Sequence, residues 1–202
     1  LLLPQRKERI DRVLANRTRS FTLVLDRLGD PHNLSAILRT CEGFGVQDVH
    51  VVSEMKGFTA NPKISQGAEK WLDVHLHRSM SVCASVLSAQ GFTLCVSDFG
   101  EGAEPLHALP LESKLALVLG NEVDGVSDEA RTLAARRFVI PMMGFAQSYN
   151  VGITAAICLS LMRERRREKG IVGDLSPAEH EMLRKRFYEL AVNQGGRIYG
   201  ED

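Results

Sequence analysis

The chain has 202 residues, 44% of them hydrophobic and 25% charged, a composition that suits one soluble globular domain with terminal extensions and excludes a disordered or fibrous chain. Its 25 Lys and Arg balance 25 Asp and Glu, so bulk charge gives no reason to expect nucleic-acid binding. The average hides an asymmetry, because Arg6, Lys7, Arg9, Arg12, Arg17 and Arg19 crowd the start and residues 163–169 read RERRREK.

In chain order, Ile10, Val13 and Leu14 fall at helical spacing within Pro4 to Ala15, which predicts a short amphipathic helix in a basic frame. Phe21 to Leu25 is a β-rich apolar run, and the turn from Asp26 to Pro31 leaves it. Asn33 is placed to cap a helix in which Leu34, Ile37, Leu38 and Cys41 share one face while Arg39 points elsewhere. Gly43 and Gly45 close that helix, and Asp48 to Val52 is the second strand. Lys56 to Lys70 reads as a loop, Trp71 to His75 as a short strand, Ser79 to Ala89 as a helix and Phe92 to Val96 as a strand ending in Ser97. Trp71 suits core or dimer packing, with stacking on RNA the other reading.

Gly100 to Pro110 is again loop, and Leu115 to Leu119 is a continuous apolar strand of the type buried on both faces of a parallel sheet. Ser127 to Ala135 is helical and Phe138 to Ile140 is the last strand. Pro141 and Gly144 then bend a polar turn in which Gln147, Ser148 and Asn150 precede a long helix, with Ser148 or Asn150 as its cap. After a break at Gly170 and Gly173, Ser176 to Glu179 forms a capping box that starts a helix to about Val192, and the Gly-rich end from Gln194 is loose. Alternating strands and helices predict an α/β fold with a mostly parallel sheet and helices on both faces. Three regions follow: a basic N-terminal helix over 1–19, a core over 20–168 and a C-terminal helical extension over 169–202.

Cys41, Cys83, Cys95 and Cys158 lie far apart among apolar neighbours, with no CxxC pair and no ligand spacing to the six histidines, so buried free thiols are expected and neither a disulfide frame nor a metal site. The apolar start is too short for a signal peptide and no apolar run reaches a membrane span, which makes the cytoplasm the expected compartment.

Residues 33–40 (NLSAILRT), 119–127 (LGNEVDGVS) and the pair Ile140-Pro141-Met142 and Gln147-Ser148-Tyr149-Asn150 stand in this order at strand ends. Together they resemble the three motifs of the SpoU-type RNA ribose 2'-O-methyltransferases of the SPOUT superfamily. The Pro31-His32-Asn33 opening and the short flanking helices are most similar to the bacterial tRNA guanosine-18 2'-O-methyltransferases. The resemblance implies a C-terminal trefoil knot, bound S-adenosylmethionine, a tRNA substrate and a homodimer that completes the active site across two subunits. By position, it implies cofactor contacts at Ser97, Leu119, Gly120, Ile140, Met142 and Tyr149, mostly through backbone groups. It assigns chemistry to Asn33, Arg39, Glu122, Ser148 and Asn150: Arg39 positions or activates the ribose hydroxyl, and Asn33 orients Arg39 or holds the loop. Arg9, matched to an N-terminal arginine used on RNA, with Arg12, Arg163, Arg165 and Arg166, forms the expected RNA surface. Tyr149 and Gly152 depart from the usual Leu and Ser of the last motif. Methylation of ribosomal RNA or of the tRNA wobble ribose, and a non-catalytic knotted RNA-binding module, are the alternatives.

Overall fold

Leu115, Leu117 and Leu119 turn to one side of the central strand and Ala116 and Val118 to the other, and all five are buried, as an apolar run requires when layers cover both faces. The computed structural model describes residues 2–53, 65, 67–110 and 114–195. Among them lie seven strands: β1 (Phe21–Asp26), β2 (Asp48–Val52), β3 (Asp73–His77), β4 (Phe92–Ser97), β5 (Glu104–Pro105), β6 (Lys114–Gly120) and β7 (Arg136–Val139). Six α-helices accompany them: α1 (Pro4–Leu14), α2 (Pro31–Gly43), α3 (Met80–Ala89), α4 (Asp128–Leu133), α5 (Val151–Glu168) and α6 (Pro177–Gly195).

The strands form one sheet in the order β3-β2-β1-β6-β4-β7-β5, and every neighbouring pair runs parallel. On one face, Ile37, Leu38 and Cys41 of α2 and Val151, Ala155, Cys158, Leu159 and Met162 of α5 cover Leu23, Leu25, Leu117 and Leu119. The α5 residues repeat at helical spacing, so the long helix lays a single apolar stripe on the sheet. On the other face, Met80, Cys83 and Leu87 of α3 and Ala130 of α4 cover Val24, Val96, Ala116 and Val118. All four cysteines are buried free thiols. No helix among the described residues is long and apolar enough to cross a membrane.

The first and last described helices meet. Ile10 and Leu14 of α1 pack against Leu183, Phe187 and Ala191 of α6, and Trp71 stands edge-on to Phe187 at 5.0 Å, a packing role. Asp174, between α5 and α6, ties this pair to the core: it accepts from the Arg19 amide at 2.7 Å, from Thr18 Oγ1 and from Arg166 Nη2. The capping box at the start of α6 is formed, with the Ser176 amide donating to Glu179 at 2.8 Å and the Glu179 amide donating to Ser176 Oγ at 3.3 Å.

Several boundaries differ from the expectations. Asp30, not Asn33, caps α2: its side chain accepts from the His32 amide at 2.8 Å, and Pro31 supplies the fixed φ of the first helical residue. Asn33 therefore sits inside the first turn with its side chain free for another partner. The third strand starts at Asp73, because Trp71 belongs to a short 3-10 turn at Ala68–Trp71. The loop after Gly100 contains the two-residue strand β5, too short to leave a periodic signal. Most of the loop expected over 56–70, and the chain end beyond 195, lie outside the described residues.

Candidate active site

Strands β4, β6 and β7 are neighbours or next neighbours in the sheet, and their carboxyl ends open onto one cavity of about 710 Å3. Crevices at this edge of a parallel sheet are where backbone groups are left for a ligand. Ser97 ends β4, Leu119 and Gly120 end β6, and Ile140 and Met142 follow β7; all five line the cavity, together with Tyr149. The six residues assigned to the cofactor thus meet in one place.

Between β6 and α4 the chain makes a closed turn. Asn121 and Gly125 exchange backbone hydrogen bonds at 3.1 and 3.2 Å, and the Asn121 side chain accepts from the amides of Val123 and Asp124 at 2.8 and 2.7 Å. Gly125 has φ +70°, and a Cβ on Gly120 would lie 2.0 Å from the Gly125 backbone. These two glycines and Asn121 explain the spacing G-N-E-x-x-G physically: the turn closes only if the first glycine has no side chain. Sequence reasoning misses the role of Asn121, although an Asn one residue after such a glycine is an Asx-turn signal. Ser127 caps α4 through Oγ, at 3.1 Å from the Ala130 amide, and its own amide donates to the buried Asp26 at 2.6 Å.

The closed turn holds Glu122 at the mouth of the cavity, where Asn33 Nδ2 donates to Glu122 Oε1. Asn150 Nδ2 donates in turn to Asn33 Oδ1 at 3.1 Å. The other end of the Asn150 side chain caps α5, accepting from the Gly152 amide at 2.8 Å, so this residue is both the helix cap and a bridge. The chain Asn150–Asn33–Glu122 joins three segments separated by 89 and 117 residues. Ser148 lines the cavity and is exposed.

Arg39 is not brought to the cavity. It is exposed on α2, six residues beyond Asn33, which on a helix is about 9 Å along the axis and a third of a turn round. The basic residues divide. Arg9 and Arg12 are exposed on α1, and Arg9 lines a smaller cavity with Arg6, Lys70 and Trp71. Arg163 donates to Asn16 at 2.9 Å, and Arg165 to the Leu109 carbonyl at 2.7 Å. Arg166 is 5% exposed, paired with Asp174 at 2.5 Å and set over the Phe21 ring. The guanidinium expected to face RNA at Arg166 is turned inward because α5 packs that side against the core, and Arg163 and Arg165 serve local contacts.

Around the cavity the exposed apolar residues are Phe99, Val123, Met143, Phe145, Tyr149 and Ile153. Met143, Phe145, Tyr149 and Ile153 come from the turn before α5 and from its first residues.

The family model described as SpoU rRNA Methylase matches residues 20–160. The tRNA (guanosine(18)-2'-O)-methyltransferase of Thermus thermophilus is 35% identical over 166 residues, 82% of this chain and 86% of that protein. The crystal structure of the A. aeolicus TrmH/SpoU tRNA modifying enzyme superposes with a TM-score of 0.84 at 32% identity, covering 94% of this chain and 98% of that one. AviRb of Streptomyces viridochromogenes, a SpoU methyltransferase solved in complex with the cofactor AdoMet, shares the fold at 23% identity, with a TM-score of 0.66 over 73% of this chain and 60% of its own.

Proposed function

We propose, from the premise that this chain belongs to the SpoU rRNA Methylase family, that it transfers a methyl group from S-adenosylmethionine to the 2'-hydroxyl of a tRNA ribose, that of guanosine 18. The observation that carries this reading is the cavity at the ends of β4, β6 and β7 with the Asn150–Asn33–Glu122 chain across its mouth. Its relative from Thermus thermophilus carries that activity in its name, and similarity extends over 82% of this chain.

The residues present fit the cofactor. A cavity of about 710 Å3 lies in the range of small-molecule sites. Gly120 packs directly on the Gly125 backbone where a Cβ would otherwise stand, which closes the turn and sets Leu119 and Gly120 in the cavity wall for an adenosine. When bound, S-adenosylmethionine supplies a methyl group activated by a sulfonium. Ser97, Leu119, Gly120, Ile140, Met142 and Tyr149 hold it, mainly through backbone. The protein then has to align the ribose oxygen with that methyl and let its proton leave. Glu122, held by Asn33, borders the hydroxyl, and Ser148 and Asn150 shape the wall.

Arg39 reaches the reaction from a second copy of the chain. Its exposure on α2, away from the cavity of its own chain, supports a homodimer in which each cavity borrows the arginine of its partner. The apolar group Met143, Phe145, Tyr149 and Ile153 supplies surface for that contact. Arg39 holds the hydroxyl and a neighbouring phosphate, since a guanidinium offers hydrogen-bond donors and no acceptor. The deep trefoil knot is part of the same reading; it is supported by β7, the last strand laid down, lying between β4 and β5, both of which precede it. The knotted core spans 20–168, with arms over 1–19 and 169–202; Arg9 and Arg12 on the first arm meet the tRNA backbone, and the cytoplasm is the place of action.

The test is incubation of the purified chain with unmodified tRNA and methyl-labelled cofactor, followed by nuclease digestion and mass spectrometry. Label on the ribose of guanosine 18 supports the reading. Label on a wobble ribose, or on ribosomal RNA offered in parallel, replaces the substrate. Cofactor binding without transfer to any of these leaves an RNA-binding module.

A further inference from the structure

At the β3 edge of the sheet, three strands and more from β4 and β7, three residues that no sequence spacing connects come together. His50 lies in the middle of β2, His77 ends β3, and Cys83 is on the first turns of α3. His50 Nδ1 is 2.9 Å from His77 Nε2, and one ring nitrogen of each histidine and the Cys83 sulfur lie within 4.8 Å of one another. His50 and Cys83 are buried and His77 is 9% exposed. None of the three lines the methyl-transfer cavity.

We propose that His50, His77 and Cys83 form a binding site for one divalent cation of the zinc class, which pins the edge strand β3 to β2 and α3.

Two imidazole nitrogens and one thiolate are the donor set that a borderline-soft ion takes, and it leaves one position for water. Tetrahedral zinc bonds of about 2.0–2.1 Å to nitrogen and about 2.3 Å to sulfur place the donors roughly 3.3–3.6 Å apart. The two nitrogens have to part by about 0.4 Å and turn toward a common point, and the sulfur to close by up to about 1.2 Å, movements within reach of side-chain rotation. The rest of the cluster suits a cation. The His50 ring is stacked on that of His75, with centroids 4.7 Å apart, and lies edge to edge with that of His77, so its plane is fixed before any ion arrives. His75 Nε2 donates to the Asp48 carboxylate at 2.8 Å, which anchors the outer ring of that stack.

Charge also balances. Binding exchanges the Cys83 thiol proton, released to solvent, for a sulfur–metal bond, which leaves the site with one net positive charge. The Asp26 carboxylate, 1% exposed and close enough to act on Cys83, offsets it. Its Oδ1 has no hydrogen-bond partner beyond an ion pair with Arg27 Nε at 3.7 Å.

The experiment uses the full chain stripped with a chelator and titrated with Co2+, then with Zn2+. One Co2+ per chain, with a near-ultraviolet thiolate-to-metal band that Zn2+ removes, is the expected result. At free Zn2+ roughly 100 times Kd the melting temperature rises by about 5 °C or more. Cys83→Ser abolishes the band. His77→Gln, at the sheet edge with the thiol intact, weakens binding by at least about tenfold, since even outer contacts to metal ligands are worth that much. A folded wild-type chain that gives no band with excess Co2+, or a band of equal strength in Cys83→Ser, overturns the site. Should Cys83→Ser not fold, unchanged Co2+ affinity in His77→Gln overturns it equally.

Discussion

Replacing Asn33 by Asp changes one atom and isolates one link of the site. The new carboxylate still accepts from Asn150 Nδ2, so the hydrogen bond at 3.1 Å survives. What disappears is the donor to Glu122. A hydrogen bond to an ionised group contributes about 1.5–3 kcal/mol, and two carboxylates about 3 Å apart at an exposed site repel by at least about 1 kcal/mol. A combined cost of about 3 kcal/mol corresponds to roughly a hundredfold in kcat/KM if Glu122 must hold its place in the transition state. The assay is methyl transfer to tRNA at saturating cofactor, with cofactor affinity measured separately by calorimetry. Cofactor affinity is expected to stay within a few-fold, because Asn33 does not line the cavity. The double variant Asn33→Asp with Glu122→Gln restores donor and acceptor and separates position from charge: recovery of roughly tenfold or more assigns Glu122 to positioning. A single variant whose kcat/KM stays within threefold of wild type (roughly 0.6 kcal/mol) would make the Asn33–Glu122 hydrogen bond incidental and refute this account of the site.

Four further outcomes are expected. Arg39→Ala lowers kcat by at least about a hundredfold with little change in cofactor affinity, and mixing it with a Gly120→Ala chain, assayed alone in parallel, gives more activity than either chain by itself if the arginine crosses to the partner. Gly120→Ala weakens cofactor binding by roughly tenfold or more in a calorimetric titration, because its Cβ would stand 2.0 Å from the Gly125 backbone and break the two hydrogen bonds that close the turn. Reversing charge at Arg9 and Arg12 weakens tRNA binding and flattens its slope against salt by about one for each phosphate no longer neutralised, read from titrations at several salt concentrations. Burial alone would raise the Asp73 carboxyl, but the guanidiniums of Arg186 and Arg19 outweigh it and hold it below its ordinary 3.8. A lowered carboxyl stabilises the fold above the unfolded pKa and loses that contribution as pH falls through the folded value, so Asp73→Asn costs about 2 kcal/mol in urea unfolding at pH 7 and progressively less as the pH is taken below the ordinary carboxyl value.

The parts of this fold that are legible in the sequence are those whose signal is local. Leu115 to Leu119 announces a strand covered on both faces, and Ser176 to Glu179 announces a helix start, because each pattern contains its own cause. Asn33 imitates a cap, but Asp30 followed by Pro31 is a better start signal, and removing Asn33 from the cap is what frees it for Glu122. A two-residue strand carrying a proline, such as Glu104–Pro105, has no periodicity to detect. The gathering of Ser97, Gly120, Ile140 and Tyr149 at one cavity follows from family resemblance alone, since it depends on a strand order that local pattern does not encode. The same limit hides the histidine cluster: its members come from two strands and a helix, and spacing rules look along the chain alone. Conversely, RERRREK looks like a solvated basic face, whereas Arg166 is drawn inward by Asp174, an acid that lies eight residues further on.

The pairing of α1 with α6 sets a schedule for the ribosome. Arg184 reaches back 173 residues to Asp11, and the greasy side of the first helix is sealed only by side chains made after the whole sheet. At roughly 5–20 residues per second that seal waits for about 9 to 35 seconds. During that interval Ile10 and Leu14 meet water or a chaperone, while the six charged residues of Gln5 to Arg12 keep the nascent segment from sticking to its neighbours.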